Sequence, residues 1–194
     1  MRILLVGATG LLGTALQAVL SDHEILRSSR STDDHRLDIT DHASIGRLLP
    51  TLGQLDAVIC VAGTAPFLPW AQAGQVEWAA GVASKLMGQV HLIRAAAAVL
   101  PVGGRIIVTS GQLAQHPVTG SSIVTTVNAA VEAFVRSAAV ECPELRVNAV
   151  SPGWIRETLV ALGRNPERGI PARTVAAAYA GLLESDASGT VVIP

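Results

Sequence analysis

Three glycines stand at equal spacing in the stretch GATGLLG, at Gly7, Gly10 and Gly13, directly after the apolar run RILLV and directly before a helical pattern. Glycine lets a chain turn tightly and lets an anion approach free backbone amides, and the start of a helix carries partial positive charge that favours a phosphate. The spacing G-x-x-G-x-x-G departs from the dinucleotide fingerprint G-x-G-x-x-G, but the same physics applies. A pyrophosphate is therefore expected over Gly7 to Gly13, with Thr9, Leu11 and Leu12 completing the contacts of the turn.

Further residues fit the same ligand. A second apolar run ends in SSRST, residues 28 to 32. A free ribose 2′-hydroxyl is usually met at this place by a carboxylate, whereas a 2′-phosphate calls for hydroxyls and an arginine. Ser29 and Arg30 supply the latter, so NADP(H) is expected in preference to NAD(H). Asp38 and Ile39 in LDIT fall where they could meet the adenine, with Ile39 against the ring. In CVAGTA, Ala62 and Gly63 keep side chains out of the way of a bound nucleotide.

These residues need a scaffold that brings strand ends together. Short apolar runs alternate with Ala-rich helical stretches along the chain. Strands are expected at 2–6, 24–28, 36–39, 56–61, 105–109, 146–150 and 190–194, and helices near 11–20, 41–49, 74–99, 121–140 and 172–185. Pro101 and Pro143 act as helix stops. Several strands are continuously apolar, as when helices cover both faces of a sheet. This alternation predicts a single-domain α/β fold over 1–194, a Rossmann-like doubly wound parallel sheet of about seven strands. Its ligand cleft should lie beyond the carboxyl ends of the strands.

Composition narrows the partners. The 194 residues are 49% hydrophobic and 15% charged, enough for one substantial core. A net charge of −1, from 14 basic and 15 acidic residues spread along the chain, offers no basic stripe for nucleic acid and no patch for a membrane surface. No apolar run approaches the roughly 20 residues that cross a bilayer. The N-terminal stretch meets a glycine too early for a signal peptide, so a cytoplasmic location is expected. Cys60 and Cys142 are expected as buried, inert thiols. The five histidines lack ligand spacing, so no metal is expected. One bias stands out: Lys85 is the only lysine among the 14 basic residues.

From here the chain resembles the short-chain dehydrogenase/reductase family over nearly its whole length. The glycine turn, DIT, VAG at 61–63, KLMG at 85–88, VTSG at 108–111, AAVEAF at 129–134 and VNAVSPGW at 147–154 follow in the family's order. The resemblance implies reversible hydride transfer between nicotinamide and a carbonyl or alcohol carbon, and it assigns Pro152, Gly153, Trp154 and Ile155 to the nicotinamide end. The family uses an Asn, a Ser, and a Tyr four residues before a Lys. Ser110 takes the Ser position. The Tyr position falls on Val124 and the Lys position on Asn128, while the Asn position holds Lys85, so ammonium and amide have traded places.

Val124 cannot donate a proton, and the helix 121–134 offers no acid in its first half. Lys85 and Asn128 are expected to hold the nicotinamide ribose jointly, with Lys85 an alternative proton source. His116, in GQLAQHP after the fifth expected strand, is a candidate general acid. Tyr179, the only tyrosine, is expected in the core. Acidic residues are scattered, and the hydrolase pattern G-x-S-x-G is missing. The leading expectation is an NADP(H)-dependent oxidoreductase acting on a small carbonyl or alcohol, with Ser110 polarising the oxygen. The alternatives are a degenerate NADP(H) sensor or an accessory subunit. The small faces of the two long helices suggest a homodimer or homotetramer.

Overall fold

The sheet follows from where the apolar runs fall. In the computed structural model, which describes residues 1–31 and 35–194, β1 (Arg2–Val6), β2 (Glu24–Ser28), β3 (Ala57–Cys60), β4 (Arg105–Thr109), β5 (Arg146–Val150) and β6 (Val191–Val192) form one sheet in the order β2-β1-β3-β4-β5-β6. Every pairing is parallel. Thr32 of the SSRST stretch lies outside the described residues.

Side chains of a strand alternate between faces, so each strand feeds two cores. Leu4, Val6, Val58, Ile106, Val108 and Val147 pack under α2 (His42–Leu48), α4 (Gly88–Ala97) and α5 (Ser122–Glu141). Ile3, Leu5, Ile59, Ile107 and Val150 pack under α1 (Leu11–Val19) and α7 (Ala172–Glu184). Among the described residues α5 is the one helix long and apolar enough to cross a membrane. Its stripe Ile123, Val127, Val131 and Val135 is buried inside the protein.

Three expectations are corrected. The sheet has six strands, because residues 36–39 make only an isolated bridge between Arg36 and Ser29. Asp38 accepts from the backbone and the hydroxyl of Thr40, and Asp41 N–H bonds back to the Asp38 carbonyl, so the chain turns here instead of extending. Leu37 and Ile39 still bury themselves in the core. The helix expected over 74–99 is α3 (Gln75–Gly81) running into α4 through a wider π turn at Val82–Met87. A short α6 (Arg156–Ala161) also forms where no helix was placed from the sequence.

Tyr179 is fully buried, as expected of a core residue. Its hydroxyl lies 2.6 Å from Thr109 Oγ1, which itself donates to the Cys60 carbonyl at 2.6 Å, so the phenol is the donor of the pair. Burial raises its pKa, keeping the phenol neutral. Tyr179→Phe should lower unfolding free energy by about 1 kcal/mol, the net worth of one buried hydrogen bond. Urea unfolding checks this, and an unchanged midpoint would show that the bond contributes nothing.

Candidate active site

The chain leaves β1 for β2 on one side and β3 follows on the other, so a crevice opens beyond the carboxyl ends of β1 and β3. Gly7 sits there at φ +92°, and a β-carbon on it would meet the Ala62 amide nitrogen at 2.8 Å. Only glycine allows this close approach. Gly10 caps α1 with no side-chain acceptor, leaving first-turn amides of a nine-residue helix open to an anion.

A cleft of about 290 Å³ runs over this turn. It is lined by Gly7, Thr9 and Gly10 from the turn, by Ser29, Arg30, Asp38 and Ile39 beyond β2, and by Ala62 and Gly63 after β3. Ser31, Thr64 and Ser84 complete it and were missed in the sequence. Leu11, Leu12 and Gly13 line neither cleft. Leu11 is 42% exposed and Leu12 packs on the core. Gly13 serves packing: a β-carbon there would fall 2.2 Å from the Gly7 carbonyl oxygen. Thr40 holds Asp38 well in its ionised range through two hydrogen bonds, with Arg30 and Arg36 adding weaker attraction.

A second cleft, of about 660 Å³, includes Lys85, which packs on Gly63 of the first. Lys85, Ser110, His116 and Asn128 all line it, and so do Pro152, Gly153, Trp154 and Ile155. Val124 is not among its lining residues. His116 is on the exposed rim. Trp154 packs obliquely on Phe67 with ring centres 6.4 Å apart, and Arg164 lies 5.6 Å over its ring.

Lys85 sits in the π turn, a distortion often found where a helix presents a functional group. Buried Gln89 holds this segment to the sheet, donating to the carbonyls of Lys85 at 2.8 Å and Thr109 at 3.0 Å and accepting from Thr109 N–H at 2.9 Å. The aliphatic stem of Lys85 covers Gly63, whose missing side chain makes the room. Desolvation brings the half-buried ammonium down to about 8, and the Cys60 thiol opposes this weakly. Burial pushes that thiol up to about 11, so it stays protonated and inert.

Asn128 is 3% exposed, and its Oδ1 has no hydrogen-bond partner. A buried acceptor left open in this way points to a ligand that completes it. One turn further along α5, Glu132 is also buried, at 4% exposed. It accepts from Ser110 Oγ at 2.8 Å, Ser151 Oγ at 2.9 Å and Gln115 Nε2 at 2.5 Å. Glu132 was missed in the sequence, where it looks like one of many scattered acids. The available signal was its four-residue spacing from Asn128, which puts both on one face of the helix. No group of three metal-binding side chains occurs among the described residues.

The two clefts fit a nicotinamide dinucleotide: glycines clear a path over an uncapped helix start, and Asn128, whose buried amide oxygen lacks a partner, lines the second cleft. Sheet order and cleft position define a Rossmann-type α/β protein. The family described as Enoyl-(Acyl carrier protein) reductase matches residues 14–191. The protein lin1944 from Listeria innocua is 31% identical, with TM-score 0.93, covering 100% of this chain and 98% of its own. A small-chain dehydrogenase in complex with NADPH is 27% identical, with TM-score 0.88 and coverage of 100% and 96%. Another small-chain dehydrogenase is 28% identical, with TM-score 0.85 and the same coverage. None of the curated proteins matches. The chain belongs to the short-chain dehydrogenase/reductase family.

Because Lys85 is the only lysine, carbon-13 enrichment at lysine Cε gives a single side-chain signal. It should titrate near pH 8, cationic below and neutral above, against about 10.4 for an exposed lysine. A midpoint above 10 would mean the ammonium stands in water.

Proposed function

We propose that the protein is an NADP(H)-dependent oxidoreductase acting on a small carbonyl or alcohol, with Lys85, Ser110 and Asn128 in place of the usual Tyr and Lys. The observation that carries this is the meeting of those three side chains in one cleft, with Lys85 of that cleft packed on Gly63 of the glycine-turn cleft. The dinucleotide, when bound, supplies or accepts the hydride. The chain supplies binding and orientation. Amides at the start of α1 would take the diphosphate, and Arg30 with Ser29 and Ser31 would take a 2′-phosphate. One oxygen of the Asp38 carboxylate accepts twice from Thr40, and Arg30 with the hydroxyls of Ser29 and Ser31 lines the same end of the cleft. The neighbour bound to NADPH supports the same choice.

At the other end, Asn128 Oδ1 would accept from a ribose hydroxyl, and Lys85 would donate to another. Ser110 would face the reacting oxygen. His116, on the rim, is too exposed to hold a water-free contact and serves as a lesser candidate for proton exchange with solvent. Self-association is part of the proposal, through the exposed small residues Ala129 and Ala133 of α5, and light scattering should report a dimer or tetramer.

A second reading, a sensor that binds NADP(H) without turnover, is favoured by one observation: Val124 stands where the family has its phenol. Oxidation of NADPH followed across aldehydes, ketones and quinones separates the two. Arg30→Ala should weaken NADPH at least tenfold, about 1.4 kcal/mol, and leave NADH affinity unchanged; equal losses for both would remove the 2′-phosphate assignment. Lys85→Ala should raise the Kd for NADPH at least tenfold by fluorescence titration. An unchanged Kd would take Lys85 off the ribose.

A further inference from the structure

We propose that Glu132 is the terminal proton holder of this site, acting through Ser110, an inference that rests on the oxidoreductase reading above. Ser110 has one hydroxyl hydrogen, and the geometry commits it to Glu132 Oε1 at 2.8 Å. Its oxygen therefore lines the second cleft as an acceptor. An alcohol held there donates to Ser110 Oγ, and the two hydrogen bonds in series make a wire from substrate oxygen to carboxylate. The remaining donors to Glu132, Ser151 and Gln115, are neutral. No cation stands within ion-pairing distance of it among the described residues. The buried carboxylate thus has a proton route on one side and no salt-bridge partner that would make it purely structural.

The balance for alcohol oxidation is complete. The substrate O–H bond breaks and its proton bonds to Ser110 Oγ. The proton of Ser110 passes to Glu132 Oε1. The carbinol C–H bond breaks, its hydride going to the oxidised nicotinamide dinucleotide as the carbon–oxygen single bond becomes a carbonyl. Glu132 ends as the neutral acid, its charge change matching the loss of positive charge on the nicotinamide. Carbonyl reduction runs the same wire backwards. Glu132 touches neither substrate nor cofactor, so it is a positioning and proton-holding residue, and Ser110 is the catalytic one. The arrangement answers the missing acid in the first half of α5: the acid is present two turns beyond Val124 and reaches the cleft through a serine.

The test compares wild type with E132Q, S110A and the double variant. NADPH affinity is read by fluorescence, and single-turnover NADPH oxidation is read across aldehydes, ketones and quinones in light and heavy water. In cofactor-free protein, the wild-type-minus-E132Q infrared difference isolates the Glu132 carboxylate band, and that band should shift when Ser110 is replaced by Ala. Each single variant should slow hydride transfer at least 100-fold while NADPH affinity stays within twofold. The double variant should be no slower than the slower single one. Wild type should show a solvent isotope effect that both single variants lose. Wild type binding no NADPH would overturn the oxidoreductase reading and the wire together. NADPH binding with no carbonyl reduced would likewise overturn both, whereas E132Q turning over at the wild-type rate with its isotope effect intact, or a carboxylate band indifferent to Ser110→Ala, would overturn the wire alone. If E132Q fails to fold, S110A decides by the same rate and isotope criteria.

Discussion

A parallel sheet gathers all its strand ends on one edge, and every polar group buried at that edge must find a partner. Much of the site follows from that requirement. Gln89 closes the backbone of Thr109 with two hydrogen bonds and donates a third to the Lys85 carbonyl. Thr109 Oγ1 bridges the Cys60 carbonyl and the Tyr179 hydroxyl. Glu132 ties Ser110, after β4, to Ser151, after β5. With these groups satisfied, the open acceptor of Asn128 stands out.

The proposed exchange of lysine and asparagine between the two helices has a physical logic. An ammonium on the π turn rests its carbon stem on Gly63, where a β-carbon would press against the lysine at about 3.2 Å. It thereby approaches the boundary between the two clefts. Asparagine on α5 keeps its amide beside the Gly111 carbonyl, at 3.4 Å, where a β-carbon on Gly111 would meet the amide nitrogen at 2.9 Å. Desolvation brings Lys85 to about 8, so near neutral pH it is a cation that a modest change in surroundings could discharge.

Losing a phenol from such a site removes one donor to a developing oxyanion, worth roughly 3–4 kcal/mol where single donors of this kind have been deleted. A serine wired to a buried carboxylate is chemically unlike a phenol. It serves as an acceptor toward an alcohol and as a donor only when the carboxyl group is protonated. The neighbourhood of α5 therefore retains acid–base capacity, moved from the residue facing the cleft to one behind it.

The sequence determined the fold class and the residues of the glycine-turn cleft. Continuous apolar runs alternating with helical patterns are local, so β1, β2, β4 and β5 begin and end where the residue pattern places them. Gly7 and Gly10, Ser29 and Arg30, and Ala62 and Gly63 follow directly after strands, so a strand assignment alone carries them to the cleft. Lys85, Ser110 and Asn128 were legible through the family's order of motifs. The tertiary structure alone decided the rest. Residues 36–39 look extended, yet Thr40 captures Asp38 and turns the chain. Gly13 looks like a phosphate contact, and its missing side chain lets α1 close against the backbone of Gly7 and Ala8. Glu132 reads as one more helical acid, and its role depends on Ser110, Ser151 and Gln115, which lie 17 to 22 positions away and meet it only when helix and sheet pack. Spacing along the chain reports which residues share a face; burial and long-range partners exist only after folding.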